Sequence, residues 1–162
     1  MFDGSVEIFE RLTRADTAQV IAVVDDKILM QTEEQPGSGG AVLSIPGGRL
    51  DEGEDSLGAA KRELSEETGY VSDNWTLWRE DSPVAKIQWT VYTYIARNCS
   101  FEKAPHLDAG EKIQTRLVDF DEFIKSATED PLFYSPEIVP DLLRMRLDVE
   151  KREAFRRLLF GE

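Results

Sequence analysis

The sequence has little cysteine and no long apolar run. Cys99 is the single cysteine among 162 residues, so neither an intramolecular disulfide nor a zinc site with several cysteines can form. No apolar run approaches the roughly 20 residues that a membrane-spanning helix needs. The first residues lack the basic and apolar segments of a secretion signal. We therefore expect a cytoplasmic protein that does not contact a membrane.

Positive charge is also scarce. Lysine and arginine number 19 against 32 acidic residues, which gives a net charge of −13. A nucleic-acid polymer is therefore not expected as a partner, because neutralising its phosphates needs clustered basic residues. A small phosphorylated molecule remains compatible with an acidic protein if divalent cations lie between the carboxylates and the phosphates.

Hydrophobic periodicity predicts short strands, a central helix, further strands and C-terminal helices. The predicted strands are at residues 6–11, 18–24, 28–32, 41–45, 75–79, 87–96 and 113–118. The predicted helices are at residues 56–68, with Asp55 as N-cap and Gly69 after the end, at residues 121–126, and after an N-cap at Ser135. A basic and apolar stretch at residues 144–157 predicts an amphipathic helix that packs on its own domain or on a partner. We expect one domain, residues 1–162, of the α/β (α+β) class, with a mixed sheet between helices.

Three glutamates share one face of the predicted central helix, and we call Glu63, Glu66 and Glu67 the box glutamates. They occupy positions i, i+3 and i+4, beside an apolar stripe that packs. Arg62 lies on a different part of the helix surface, so we do not expect it to offset their mutual repulsion. Clustered hard oxygen ligands favour Mg²⁺ or Mn²⁺. The alternative is a solvated acidic helix face without a ligand.

The segment around this helix resembles the Nudix box. That motif is a glycine, five residues, a glutamate, seven residues, and then Arg-Glu-apolar-any-Glu-Glu-any-Gly-apolar. The matching residues are Gly48, Glu54, Arg62, Glu63, Leu64, Glu66, Glu67 and Gly69. Tyr70 ends the box where an aliphatic residue is more usual. On these positions the chain is identified as a member of the Nudix hydrolase family.

The resemblance implies a Nudix-type α/β/α sandwich and a hydrolase that uses Mg²⁺ or Mn²⁺ to cut a pyrophosphate bond. Glu63 and Glu67, with Glu66, would hold the metal, and the backbone carbonyl of Gly47 would add a ligand. Dimers are common among the family's nucleotide-sugar members, so a homodimer is compatible with the resemblance.

Two further box residues are implied to act around the metal ligands. Arg62 would orient a glutamate rather than contact the substrate. Glu54 would be the partner of Arg62 or an outer ligand of the metal.

The general base is expected from outside the box, because a metal-bound carboxylate accepts a proton poorly. Glu111 is the best-placed candidate, as general base or additional metal ligand. It follows Gly110, which lets the loop bend, and precedes a strand that anchors the loop. Asp108, Glu102 and Glu66 are the substitutes.

The substrate is indicated only by partial matches outside the box. Ser82-Pro83 and residues 107–113 resemble elements of ADP-ribose pyrophosphatases. Val84 replaces a usual glycine, and residues 31–34 (QTEE) replace the usual Gln-Tyr-Arg. We expect a small nucleoside diphosphate derivative, such as ADP-ribose or a nucleotide sugar. The alternatives are a nucleoside triphosphate pyrophosphatase and a non-catalytic Nudix-like module that senses a nucleotide, although such a module would have lost box carboxylates.

Overall fold

The computed structural model describes residues 2–37 and 39–161. The strands are β1 (Leu12–Thr13), β2 (Thr17–Val24), β3 (Lys27–Glu34), β4 (Val42–Ser44), β5 (Gly47–Arg49), β6 (Tyr70–Val71), β7 (Asn74–Asp81), β8 (Ile87–Gln88), β9 (Val91–Arg97), β10 (Ser100–Phe101) and β11 (Lys112–Val118). The helices are α1 (Ser56–Thr68), α2 (Phe120–Glu129), α3 (Val139–Leu147) and α4 (Val149–Phe160). In the described part of the chain, no helix is both long and apolar enough to cross a membrane.

The central sheet is mixed, as the sequence predicts. Its strands lie in the order β11-β3-β2-β9-β7, with β4 beside β3 and β5 beside β2. β2 and β9 run parallel, and the other neighbours run antiparallel. This arrangement brings β3, β5 and the helix that follows β5 to the same end of the sheet.

Side chains that alternate along β2 divide the core into two layers. Ala18, Val20 and Ala22 pack with Ala59 and Ala60 of α1. These small residues let the helix lie close to the sheet. The predicted helix bounds of residues 56–68 are confirmed.

The opposite face of the sheet is covered by the C-terminal helices. Ile21 and Val23 of β2 pack in one cluster with Phe123 of α2, Leu142 of α3 and Phe155 of α4. Helices therefore cover both faces, and the expected α/β/α sandwich is confirmed.

The predicted strand at residues 6–11 is wrong, because this segment forms no regular element. Val6 and Ile8 are 91% and 94% exposed. Only β1, which follows this segment, pairs with another strand, β8. Apolar β-branched residues favour a strand, but a strand also needs a neighbouring edge to pair with.

The predicted strand at residues 87–96 is interrupted at Trp89 and Thr90, giving β8 and β9. The Thr90 backbone N–H donates to Asp16 Oδ1 (2.7 Å), and the Trp89 indole N–H donates to Thr17 Oγ1 (3.0 Å). The interruption lets β8 pair with β1 while β9 pairs with β2.

The predicted N-cap at Ser135 is also wrong, because α3 begins four residues later, after Ile138. The predicted single C-terminal helix is two helices that meet at Asp148. Its backbone ends α3, and its side chain caps α4 by accepting from the Lys151 N–H (3.1 Å). Phe155 is buried, so α4 packs against the core of this chain.

Candidate functional site

Helix α1 begins and ends at residues that commonly cap helices. Asp55 is the N-cap, and its carboxylate accepts from the Gly58 N–H (2.7 Å). Gly69 ends the helix in the left-handed region at φ 75°. The helix is thereby held so that the face carrying the box glutamates opens to a cavity.

Arg62 is the centre of the charged groups on this helix. Its guanidinium donates to both carboxylate oxygens of Glu54 (3.0 and 2.9 Å), and to Glu63 (2.8 Å) and Glu66 (3.2 Å). A further N–H donates to the Arg49 carbonyl (3.0 Å). The expectation that Arg62 would not offset the repulsion is therefore wrong for Glu63 and Glu66. Arg62 and Glu66 are four residues apart, a spacing at which side chains on a helix are neighbours.

The ion pairs of Arg62 act on the neighbouring carboxylates in different ways. Hydrogen bonds from Arg62 lower the pKa of Glu54 below its ordinary value. Burial raises the pKa of Glu63, and the opposing effect of Arg62 is smaller. The negative charge of Glu54 is therefore more strongly stabilised than the negative charge of Glu63.

Glu67 is the most buried of the box glutamates, with 6% of its surface exposed. Its Oε2 accepts from the Gly47 N–H (2.9 Å) and from Gln31 Nε2 (3.1 Å). Burial raises the pKa of Glu67 to about 8, with smaller contributions from the nearby Glu63 and Glu33. The backbone of Gly47 thus contacts Glu67 through its N–H, whereas the sequence singled out its carbonyl.

The backbone of β5 lies beside Glu63 at Gly48. A Cβ at this position would collide with the Glu63 carboxylate and would displace the end of that side chain. Glycine therefore lets the Glu63 carboxylate lie against β5.

Sequence reasoning missed two residues of β3, Glu33, which lines the cavity, and the buried Gln31, which contacts Glu67. Glu33 is 8% exposed, and its Oε2 accepts from the Ser44 hydroxyl (3.1 Å). Burial raises the pKa of Glu33. The signal was present in the alternation of β3, since Leu29 packs against α1 and residues two and four positions later share its face.

Residues 107–111, here called the acidic loop, cross the cavity immediately before β11. Leu107, Asp108 and Glu111 line the cavity. The His106 N–H donates to the Glu66 carbonyl (2.7 Å), which joins the start of this loop to α1. Neither Glu102 nor the Ser82-Pro83 pair is part of this lining.

The cavity has a volume of about 420 Å³ and carries both signs of charge. Its acidic side chains are Glu33, Asp51, Glu63, Glu66, Glu67, Asp108 and Glu111. Its arginines are Arg14, Arg49 and Arg62. Arg14 lies over the Trp89 ring, 4.2 Å from the ring centre. The cavity thus combines oxygen donors for a cation with guanidinium groups for an anion.

Carboxylate oxygens are the donors that a hard divalent cation prefers. In residues 2–37 and 39–161, however, no group of three acidic, histidine or cysteine side chains is arranged so that it could hold a metal ion. Arg62 explains this arrangement, because it binds Glu63 and Glu66 while Glu67 binds Gly47 and Gln31. The charged groups that act on buried Glu67 are acidic, so a cation would relieve their repulsion. Gln31 Oε1, which is buried, likewise has no hydrogen-bond partner in the described part of the chain.

The sequence is similar to one family profile and to several known proteins. The NUDIX domain profile matches residues 13–140. The methanol dehydrogenase activator of Bacillus methanolicus is 30% identical over 141 residues, which cover 85% of this chain and 76% of that protein. The ADP compounds hydrolase NudE of Escherichia coli is 29% identical over 80 residues, covering 48% of this chain and 43% of NudE. An ADP-ribose pyrophosphatase of Saccharomyces cerevisiae is 49% identical over 45 residues, covering 28% of this chain and 20% of that protein.

Comparison with solved structures gives the same fold. The crystal structure of an ADP compounds hydrolase superposes with a TM-score of 0.72 at 23% identity, covering 93% of this chain and 82% of that one. A NUDIX hydrolase from Nitrosomonas europaea has a TM-score of 0.64 at 23% identity, covering 88% and 90% of the two chains.

Proposed function

Because the chain belongs to the Nudix family, we propose that it is a divalent-metal-dependent hydrolase that cuts the pyrophosphate bond of a nucleoside diphosphate joined to another group. The observation that carries the proposal is the set of box glutamates opening to one cavity that also holds arginines. Carboxylates suit a hard cation, and guanidinium groups suit phosphate oxygens.

Glu63, Glu66 and Glu67 would hold Mg²⁺ or Mn²⁺, with the backbone of Gly47 as a further candidate ligand. A cation bound there supplies charge to offset the pyrophosphate oxygens and lowers the pKa of a bound water. Arg62 positions Glu63 and Glu66, and Glu54 in turn positions Arg62 through a two-point contact.

Glu111 is proposed as the general base. It removes a proton from the attacking water, whose oxygen bonds to phosphorus as the bridging P–O bond breaks and a phosphate group leaves. Its place in the cavity lining supports this role over Glu102, and Asp108 of the same loop is the next candidate.

The substrate class that fits best is ADP-ribose or a nucleotide sugar. Support comes from the similarity to proteins described as an ADP compounds hydrolase and an ADP-ribose pyrophosphatase, and from the acidic loop that lines the cavity. Arg14 and Arg49 make no ion pair within residues 2–37 and 39–161, so both can contact a phosphate or a terminal anionic group.

A hydrolysis panel with Mg²⁺ or Mn²⁺ tests this function. It contains ADP-ribose, nucleotide sugars, dinucleoside polyphosphates, NADH and nucleoside triphosphates, with products identified by mass. We expect AMP and ribose 5-phosphate from ADP-ribose. Conversion of a triphosphate to monophosphate and pyrophosphate, with ADP-ribose untouched, would reject the substrate class.

The Glu67→Gln variant tests the metal requirement in the same assay. The amide keeps the shape but loses the charge that holds a hard cation, so we expect activity to fall at least about a hundredfold. Glu153→Gln makes the same chemical change on the exposed face of α4 and should leave activity unchanged. Full turnover in excess chelator would reject the metal requirement.

A further inference from the structure

Gln35, the residue that follows β3, joins two carboxylates that line the cavity, one from β3 and one from the acidic loop. Its side-chain Nε2 donates to Glu33 Oε1 (2.5 Å) and to Glu111 Oε1 (3.0 Å). An amide NH₂ has two donor hydrogens and no charge, so one nitrogen can bind both carboxylates. Gln35 thereby links β3 to the acidic loop across 76 residues of sequence.

The link matters because the two carboxylates repel each other. Glu33 is nearly buried, and Glu111 is among the groups that raise its pKa. Like charges interact more strongly where one partner is buried, as Glu33 is, than they do when both are at an open surface. A neutral donor between them offsets this repulsion and lets the Glu111 carboxylate stay inside the cavity.

A second contact supports the same docking. Pro36 packs against Gly110, where an added Cβ would lie 2.8 Å from Pro36 Cγ. Gly110 also has φ 91°, in the region that favours glycine. The acidic loop therefore rests on residues 35–36 with little room for adjustment.

The remaining contacts fix the direction of the Glu111 side chain. Its second oxygen accepts from the Asp108 N–H (3.3 Å), and its own N–H donates to the Asp108 carbonyl (3.1 Å). The loop is joined to α1 at its other end through His106. In residues 2–37 and 39–161, the other hydrogen bond of this carboxylate comes from the Asp108 N–H, within its own loop.

We propose that Gln35 is a positioning residue that docks the acidic loop and aims the Glu111 carboxylate into the catalytic cavity. The role in turnover rests on the proposed function, in which Glu111 is the base. The docking itself does not, and it can be measured without a substrate.

The kinetic test compares Gln35→Ala and Gln35→Glu with the wild type. Alanine removes the hydrogen bonds to Glu33 and Glu111, and glutamate keeps the length but adds a third carboxylate. We expect kcat to fall about 10- to 100-fold in both variants, as for other residues that orient a catalytic group, with KM within about threefold. The matched control is Glu34→Ala, which truncates the residue before Gln35, the last residue of β3. Glu34 is exposed and pairs with Lys112 outside the cavity, so its kcat should stay within about twofold.

A double-mutant cycle separates positioning from a general structural effect. If Gln35 acts through Glu111, Gln35→Ala should cost almost nothing further in the Glu111→Gln background, where no base remains to be aimed. An unchanged kcat in both Gln35 variants of an active enzyme, or an equal fall in both backgrounds, would overturn the proposal and leave the proposed function standing.

Hydrogen exchange of the acidic loop supplies the readout that needs no activity. The amides of Asp108 and Glu111 should exchange faster in Gln35→Ala than in the wild type or in Glu34→Ala. If no substrate of the panel is hydrolysed, the proposed function fails while this comparison still decides the docking. Equal exchange in all three proteins would show that Gln35 does not hold the loop.

Discussion

Glu67 combines burial with a charge that the metal-free protein stabilises poorly. Its pKa is raised to about 8 from an ordinary 4.5, chiefly by burial. For a carboxyl group whose pKa is raised by folding, the neutral form contributes stability fully below about pH 4.5. That contribution is lost as the pH rises through about 8. The metal-free protein should therefore lose stability over this window on account of Glu67.

The Glu67→Gln variant isolates that effect because its amide stays neutral at every pH. In excess chelator we expect its melting temperature to exceed that of the wild type above about pH 8, with the difference shrinking toward about pH 5. Thermal unfolding across this range measures the difference. Added Mg²⁺ should raise the melting temperature of the wild type more than that of the variant. A wild type that is the more stable of the two at about pH 9 in chelator would contradict the prediction.

Glu111 differs from the box glutamates because it reaches the cavity from a loop. Changing Glu111 to Gln should lower kcat by roughly 10² to 10⁴ if the carboxylate is the base. Metal affinity measured by calorimetry should stay nearly the same, because the box glutamates are intact. A kcat within about threefold of wild type corresponds to a change of less than about 0.7 kcal/mol in the activation free energy. That result would point to another base. Asp108 would then be the first residue to change, because it lines the same cavity.

At the scale of elements, the N-cap of α1 stabilises the helix that carries most of the site. Asp55→Ala removes the acceptor for the Gly58 N–H and should lower the free energy of unfolding by about 1 kcal/mol. Asp55→Ser keeps a capping oxygen and should restore most of the loss. Urea denaturation with unchanged m-values measures both variants. Equal stability of the alanine variant and the wild type would show that the cap contributes nothing.

Strand β3 joins the core to the site within one element. One face carries Leu29 against α1 and, farther along, Gln31 against Glu67 and Glu33 in the cavity lining. Its C-terminal end leads into Gln35, which contacts the acidic loop. The packing of the strand therefore determines where the polar residues at its end lie relative to α1.

At the scale of the whole molecule, α4 closes the core on the face opposite α1. Phe155 lies 4.8 Å from Trp78 and 6.1 Å from Phe120, measured between ring centres. Phe155→Ala should lower the free energy of unfolding by about 3 to 5 kcal/mol, because it leaves a cavity in this cluster. Leu147→Ala is the control, since Leu147 is 91% exposed, and should change stability by less than about 0.5 kcal/mol. Denaturation curves measure the free energy of unfolding of both variants. If the two substitutions lowered it by similar amounts, the assignment of α4 to the core would be refuted.

The sequence alone determined the features that depend on near neighbours along the chain. The bounds of α1, its caps and the shared face of Glu63, Glu66 and Glu67 follow from helix geometry and local hydrogen bonding. The mixed sheet between helices follows from the order and periodicity of the elements. The helix features are set by interactions over a few residues, and the fold class is set by the order and periodicity of the elements.

Only the tertiary structure decided the features that join distant segments. Residues 6–11 have strand composition but no partner edge, so they form no strand. The place of Glu33 in the cavity and the bridge from Gln35 to Glu111 depend on how β3, α1 and the acidic loop pack. Spacing in sequence carries no information on which edges and loops meet, because this is set by packing between elements far apart in the chain.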